Sequence, residues 1–227
     1  MELTPEEVEK DIDEIKQLRD RVIKNQLLDD TVVLVNKEIR NRKRILVEDA
    51  SSSSMDVDTG LYPFTDSFHT TTGAVCTGLG VPEDAIETVL GVFSAVSIIS
   101  GSFLKRIREF PTRITSDDPA YDCIRDRFKE EYDVLDDEYA FGWTDLNLIR
   151  HAENINKLSG MMVTHLDVLN DVDNIKLATK YTLKHGDETQ IFDKSLPANI
   201  DEWEQMVPKF TEMPGWNQGL EDCSSFS

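Results

Sequence analysis

Glu48, Asp56 and Asp58 are hard oxygen donors close together in the chain, the residue type that holds a divalent cation. A solvated acidic loop accounts for them as well, so no metal site is assigned. His69 has the chemistry of a general base or nucleophile, but no Cys or Ser partner arranged as a triad accompanies it. It is read as a loop histidine, and no catalytic residue is assigned. Gly73, Gly78 and Gly80 have the flexibility of an anion-cradling turn. They precede Pro82, however, and lack the strand–loop–helix context of a phosphate motif. Arg42-Lys43-Arg44 is a small basic surface cluster. Cys76, Cys123 and Cys223 show no metal-ligand spacing and are read as reduced, structural thiols.

These residues are carried by 227 positions with 39% hydrophobic and 30% charged content, a globular composition. Acidic residues outnumber basic ones 44 to 24, a formal charge of −20. That field repels phosphate backbones and anionic lipid, which argues against nucleic-acid and membrane partners. A nucleotide site would need locally clustered Lys and Arg. The opening Met1-Glu2-Leu3-Thr4-Pro5 has neither the basic nor the apolar region of a signal peptide, and the apolar stretch from Val89 to Ile99 is too short to span a bilayer. A cytoplasmic location is expected.

The elements that must position these groups follow from periodicity. Thr4, Pro5 and Glu7 form a helix-start signature, with Val8, Ile12, Ile15, Leu18 and Val22 behind them at helical spacing. A second helix is expected over Thr31 to Arg40, then a short buried strand at Ile45–Val47 and a loop at Ser51–Ser54. Asp56 to Pro82, rich in Gly and Thr, reads as an extended loop. Further expectations are a helix from Glu83 to Leu90, a strand from Gly91 to Ile99, and helical pieces over Asp122–Tyr132. A helix capped by Thr144 and stopped by Gly160 should follow, then strands at Met161–Thr164 and Ile175–Leu183. A hairpin through His185-Gly186-Asp187 should lead to Thr189–Phe192, followed by a short helix at Asn199–Gln205.

Four stretches carry a resemblance. The first runs from Val47-Glu48-Asp49-Ala50 through Met55-Asp56-Val57-Asp58-Thr59-Gly60 to Leu61-Tyr62-Pro63-Phe64. The second is Thr70-Thr71-Thr72-Gly73-Ala74-Val75-Cys76-Thr77-Gly78-Leu79-Gly80. The third joins Gly142-Trp143-Thr144-Asp145-Leu146, Leu158-Ser159-Gly160 and Thr164-His165-Leu166-Asp167-Val168-Leu169. The fourth is Met213-Pro214-Gly215-Trp216. In this order and spacing they resemble adenylosuccinate synthetase, over roughly Thr31 to Trp216.

The resemblance implies an enzyme that uses GTP and Mg²⁺ to join IMP and aspartate in the AMP branch of purine synthesis. It implies homodimers, with contacts between the subunits' active sites. It also implies departures. The family's amino-terminal Gly-Asp-Glu-Gly-Lys-Gly loop, its catalytic Asp and His, and its carboxy-terminal GTP-binding segment have no counterpart in this sequence. By resemblance the IMP-contacting Gln, Thr and Arg fall on Ser51, Asp66 and Ile99. The family's arginine-rich loop falls on Leu135-Asp136-Asp137-Glu138-Tyr139-Ala140-Phe141, where cationic clamps give way to acid. An insertion carries Lys105, Arg106 and Arg108. Asp167 matches the Asp that reads the guanine ring, and also suits a turn or helix cap after a strand; His165 stands where the family has Lys. Thr70, Thr71, Gly73 and Gly78 belong to its Gly/Thr loop.

The expectation is an α/β chain, a partial synthetase-type fold with a central mostly parallel sheet, flanking helices and long loops. Residues 1–216 form the domain and 217–227 a flexible acidic tail. The chain is read as synthetase-like without independent activity. The alternatives are a non-catalytic protein pairing with an intact synthetase, and a residual guanine-nucleotide-binding module. Mg²⁺ and GTP are cofactors of the family rather than firm assignments here.

Overall fold

Thr4 starts the first helix as its residue types dictate. In the computed structural model, which describes residues 4–49, 51–100, 110–132, 139–185, 188–197 and 199–216, α1 runs Pro5–Lys24. The Glu7 N–H donates to the Thr4 hydroxyl, and the Thr4 N–H donates to the Glu7 carboxylate at 2.8 Å, closing a capping box. α2 spans Thr31–Arg40 as expected, with Asp30 accepting the Val33 N–H at 3.0 Å. The chain divides into two compact units, and both helices belong to the first, residues 1–47 and 75–85. The strand expected at Ile45–Val47 does not form. Leu46 is 92% exposed, because three apolar residues between charged flanks find no ladder partner.

The loop expected at Ser51–Ser54 runs into a 3-10 turn at Ser53–Met55, and the stretch read as an extended loop from Asp56 to Pro82 contains a helix, α3, at Thr72–Leu79. Two glycines argue against a helix there. A tertiary cap overrides them: Asn156 accepts the Thr72 N–H at 2.8 Å and its hydroxyl at 3.1 Å, satisfying the helix's first donor. The helix expected at Glu83–Leu90 shrinks to a 3-10 turn at Glu83–Ala85.

The second unit, residues 48–74 and 86–227, holds the strands. β1 (Leu90–Ser94) and β2 (Val96–Ser100) divide what reads as one strand, separated by Ala95 and placed in different sheets. β3 is Tyr139–Asp145 and β4 is Gly160–Thr164. β5 is Asn174–His185, β6 Glu188–Phe192 and β7 Val207–Pro214. β1 pairs in parallel with β4, and β3 with β5. β2–β3, β5–β6 and β5–β7 are antiparallel. The class is α/β; the named strands pair in parallel at these two places among the described residues, and antiparallel pairings dominate the larger sheet. The hairpin joining β5 to β6 pairs as expected, its Gly186-Asp187 turn lying outside the described residues.

α4 (Tyr121–Tyr132), α5 (Leu146–Asn156) and α6 (Ile200–Glu204) complete the unit. Asp145, not Thr144, caps α5: its Oδ1 accepts the Asn147 and Leu148 N–H groups at 2.9 and 3.0 Å. Thr144 still lies in β3 and donates its hydroxyl to the Ala95 carbonyl. α5 ends at Lys157 in the left-handed conformation, φ 51°, and Gly160 begins β4 instead of stopping the helix. One core packs Val96, Ile124, Phe128, Phe141 and Trp143; the other packs Leu61, Phe110, Tyr181, Phe192 and Trp203. Among the described residues no helix is long and apolar enough to cross a membrane.

Candidate functional site

Asp56 organises the loop that carries most of the residues singled out from the sequence. Its side chain is 1% exposed. Oδ1 accepts the N–H groups of Asp58 and Thr59, each at 3.0 Å, and the Thr59 hydroxyl at 3.1 Å; Oδ2 accepts the Thr70 N–H at 2.8 Å. Burial pushes this carboxyl up, but the N–H groups of Thr70, Thr59 and Asp58 and the Thr59 hydroxyl outweigh it and hold the pKa at about 2. The Thr70 hydroxyl donates to the Ser52 carbonyl at 2.9 Å, tying the two ends of the loop together. His69 places Nδ1 3.5 Å from Asp56 and 3.8 Å from Asp58, half exposed at the rim. The buried Asp56 is thus a loop staple, its oxygens already committed to backbone donors.

Gly60 closes this loop by near contact of backbone on backbone. A Cβ there would stand 2.5 Å from the Asp56 carbonyl and 2.6 Å from the Ser54 carbonyl. Gly60→Ala is therefore expected to lower stability by about 3 kcal/mol. Urea unfolding checks this as a reduced midpoint with an unchanged slope.

Ser51 and Asp66, assigned separately from sequence, are brought together: the Ser51 hydroxyl donates to the Asp66 carboxylate. Ser51 takes a positive φ of 75°, and the Asp66 N–H donates to the Met55 carbonyl at 2.7 Å. Ile99 lies in β2, opposite Ala140 of β3, and packs, partly buried, against the second core. Thr70 is engaged by Asp56, and the Thr71 carbonyl accepts the Ala74 N–H at 2.8 Å. Gly73 and Gly78 fall within α3, a helix where a loop is expected. Of the loop Leu135–Phe141, the part 135–138 with its acidic Asp136, Asp137 and Glu138 lies outside the described residues, as do Lys105, Arg106, Arg108 and the tail 217–227, whereas Tyr139, Ala140 and Phe141 belong to β3.

Asp167 begins a 3-10 turn after β4, which makes it a turn residue whatever else it does. His165, at φ 56°, places Nδ1 3.0 Å from both the Thr164 and Ser94 hydroxyls. Its ring centroid is 4.9 Å from Tyr132, edge-on, and 5.5 Å from Phe128. The Tyr132 hydroxyl donates to the Asp167 carboxylate at 3.3 Å. Phe128 and Tyr132 stand four apart on α4, and that spacing was the available signal for this aromatic cluster.

Among the described residues no three His, Cys, Asp or Glu side chains converge as a cation site, and Asp56, the buried member of the acidic loop, accepts hydrogen bonds at both oxygens.

A family model described as adenylosuccinate synthetase matches residues 1–227. An adenylosuccinate synthetase of Paramecium tetraurelia is 32% identical over 223 residues, covering 97% of this chain and 48% of that protein. One of Pelobacter propionicus is 36% identical over 197 residues, covering 87% and 43%. A chloroplastic one of Triticum aestivum is 30% identical over 220 residues, covering 97% and 44%. The chain spans about half the length of the curated relatives it matches. The solved structure of fully ligated adenylosuccinate synthetase from Plasmodium falciparum shares the fold at a TM-score of 0.80 and 23% identity, covering 95% of this chain and 48% of that one.

Proposed function

The chain belongs to the adenylosuccinate synthetase family, and from that premise we propose that it keeps the family's scaffold without catalysing, by itself, GTP-dependent ligation of IMP and aspartate. What carries the reading is the Ser51–Asp66 hydrogen bond. Two positions that by resemblance face IMP satisfy each other, and one of them presents a carboxylate to a ligand that is itself anionic. Ile99 adds to this: the position resembling an anion-holding Arg carries an apolar, partly buried side chain packed against a core. Where the family carries arginines before Gly142-Trp143, this sequence has Asp136, Asp137 and Glu138. Preorganised donors aimed at developing charge are each worth on the order of 10²–10³ in rate, so substituting several removes the electrostatic support of phosphoryl transfer.

At the positions resembling the guanine site, the Asp167 carboxylate accepts from Tyr132, and His165 is engaged by Ser94 and Thr164. A guanine ring would have to replace the tyrosine hydroxyl. Residual binding of GTP, IMP or aspartate is therefore expected to be weak, and the cytoplasm is the compartment proposed.

Calorimetric titration of the folded chain tests the reading. IMP, and separately GTP with Mg²⁺, are expected to bind with Kd weaker than about 1 mM. Asp66→Asn is expected to tighten IMP binding several-fold by removing the facing charge. Tight binding by the unsubstituted chain, or adenylosuccinate formed from GTP, IMP and aspartate, would overturn it.

A second reading, pairing with an intact synthetase, is favoured by the β1–β4 sheet. Leu90 and Val92 on β1 and Met161 and Met162 on β4 are all more than half exposed, although parallel strands ordinarily carry cover on both faces. Sedimentation of the chain mixed with a purified intact synthetase decides it. A joint boundary supports pairing, and independent sedimentation excludes it.

A further inference from the structure

The apolar stripe of α1 is symmetric about Ile15. Val8 and Val22 are equally distant from it along the helix, as are Ile12 and Leu18. None of these residues is buried; Ile12, Ile15 and Leu18 are 44, 66 and 57% exposed. Most of the charges beside the stripe are antisymmetric about the same residue; Glu7 and Asp13, whose mirror positions are Ile23 and Gln17, are the exceptions. Glu6 mirrors Lys24, Glu9 mirrors Arg21, and Asp11 mirrors Arg19. The reversed pair Lys10 and Asp20 obeys the same relation, as do Glu14 and Lys16. The half before Ile15 is acid-rich and the half after it base-rich.

A helix of this pattern is complementary to itself turned end for end. In a parallel pair each acidic level would face its own copy. In an antiparallel pair with the two-fold axis at Ile15, apolar residues meet at every level of the stripe, and acid-rich halves lie along base-rich ones. We propose that α1 is a self-recognition surface through which two copies of this chain pair antiparallel. The net charge of −20 opposes association at long range. It is screened beyond about 8 Å at physiological salt, whereas packed helix axes are about 8–10 Å apart and their flanking charges closer still. The ion pairs within α1, such as Lys16–Asp13 at 2.9 Å and Lys10–Glu14 at 3.9 Å, are solvent-exposed and rearrange at little cost. This inference stands on α1 and is independent of the catalytic reading.

Sedimentation equilibrium of the full chain over about 1–100 µM tests it. The expected mass rises from 25.8 kDa toward twice that value. Ile15→Glu places two carboxylates on the axis and is expected to weaken association at least about tenfold, with circular dichroism unchanged because the side chain is exposed. Arg19→Glu with Arg21→Glu makes α1 predominantly acidic, and Glu9→Lys with Asp11→Lys makes it net basic. Each is expected to remain monomeric alone, and the equimolar mixture to associate. A spin label at Val22→Cys, with Cys76, Cys123 and Cys223 changed to Ser, should report about 20 Å between copies, the rise separating equivalent levels. A wild-type monomer throughout the range, association unaffected by Ile15→Glu, a mixture that fails to associate, or labels in close proximity would each overturn the proposal.

Discussion

Asp145→Ala is expected to cost about 4 kcal/mol of unfolding free energy, because three groups lose their acceptor at once. The side chain caps α5 through the Asn147 and Leu148 N–H groups and receives the Tyr181 hydroxyl inside the protein. Losing a cap is worth about 1 kcal/mol, and a buried hydroxyl left without an acceptor about 1–3 kcal/mol more. Tyr181→Phe is expected to cost about 2 kcal/mol, since it removes one donor and leaves the cap in place. Urea unfolding of both variants separates the two contributions. Burial raises the Asp145 carboxyl above its usual value; the Tyr181 hydroxyl and the Leu148 and Asn147 N–H groups oppose the rise without cancelling it. The folded state therefore holds this proton to higher pH than the unfolded state. From this group, stability falls as pH rises above the usual 3.8. Asp145→Asn should remove that slope.

Asp56 gives the opposite sign. Asp56→Asn is expected to cost about 3 kcal/mol at neutral pH, because a charged acceptor holding three N–H groups and a hydroxyl is replaced by a neutral one with a single oxygen. Its folded pKa of about 2 lies below the usual 3.8, so its contribution is complete above 3.8 and is lost as pH falls toward 2. Urea midpoints measured at successively lower pH should show the gap between wild type and Asp56→Asn narrowing through that window. A gap independent of pH would mean that Asp56 acts by shape alone.

Local signals in the sequence located most helices and several strands because those elements are determined locally. Thr4, Pro5 and Glu7 announce α1, and Asn199 announces α6 through its own side-chain bond to the Glu202 N–H. β3 and β7 were not legible. Their residues are buried or paired because of β2 and β5, strands far away in the chain, and no periodicity of their own reveals it. α3 was misread for the same reason, since Asn156, its cap, belongs to another helix. Of the candidate site, the identities of Ser51, Asp66, Asp167 and His165 could be singled out from motifs. That Ser51 bonds Asp66, and that Tyr132 closes on His165, depends on loop geometry that spacing does not encode.

Ala95, between β1 and β2, is 4% exposed and donates its N–H to the Thr164 carbonyl at 2.9 Å while accepting the Thr144 hydroxyl at its own carbonyl. One peptide segment is thereby held by both sheets. Pulling β1 away from β4 loads the same residue that anchors the end of β3, where Asp145 begins α5. Amide exchange at Ala95 consequently requires the smaller sheet to open, and that opening strains the larger one. The two sheets are therefore expected to exchange hydrogen as one cooperative block, their protection rising and falling together under mild denaturant.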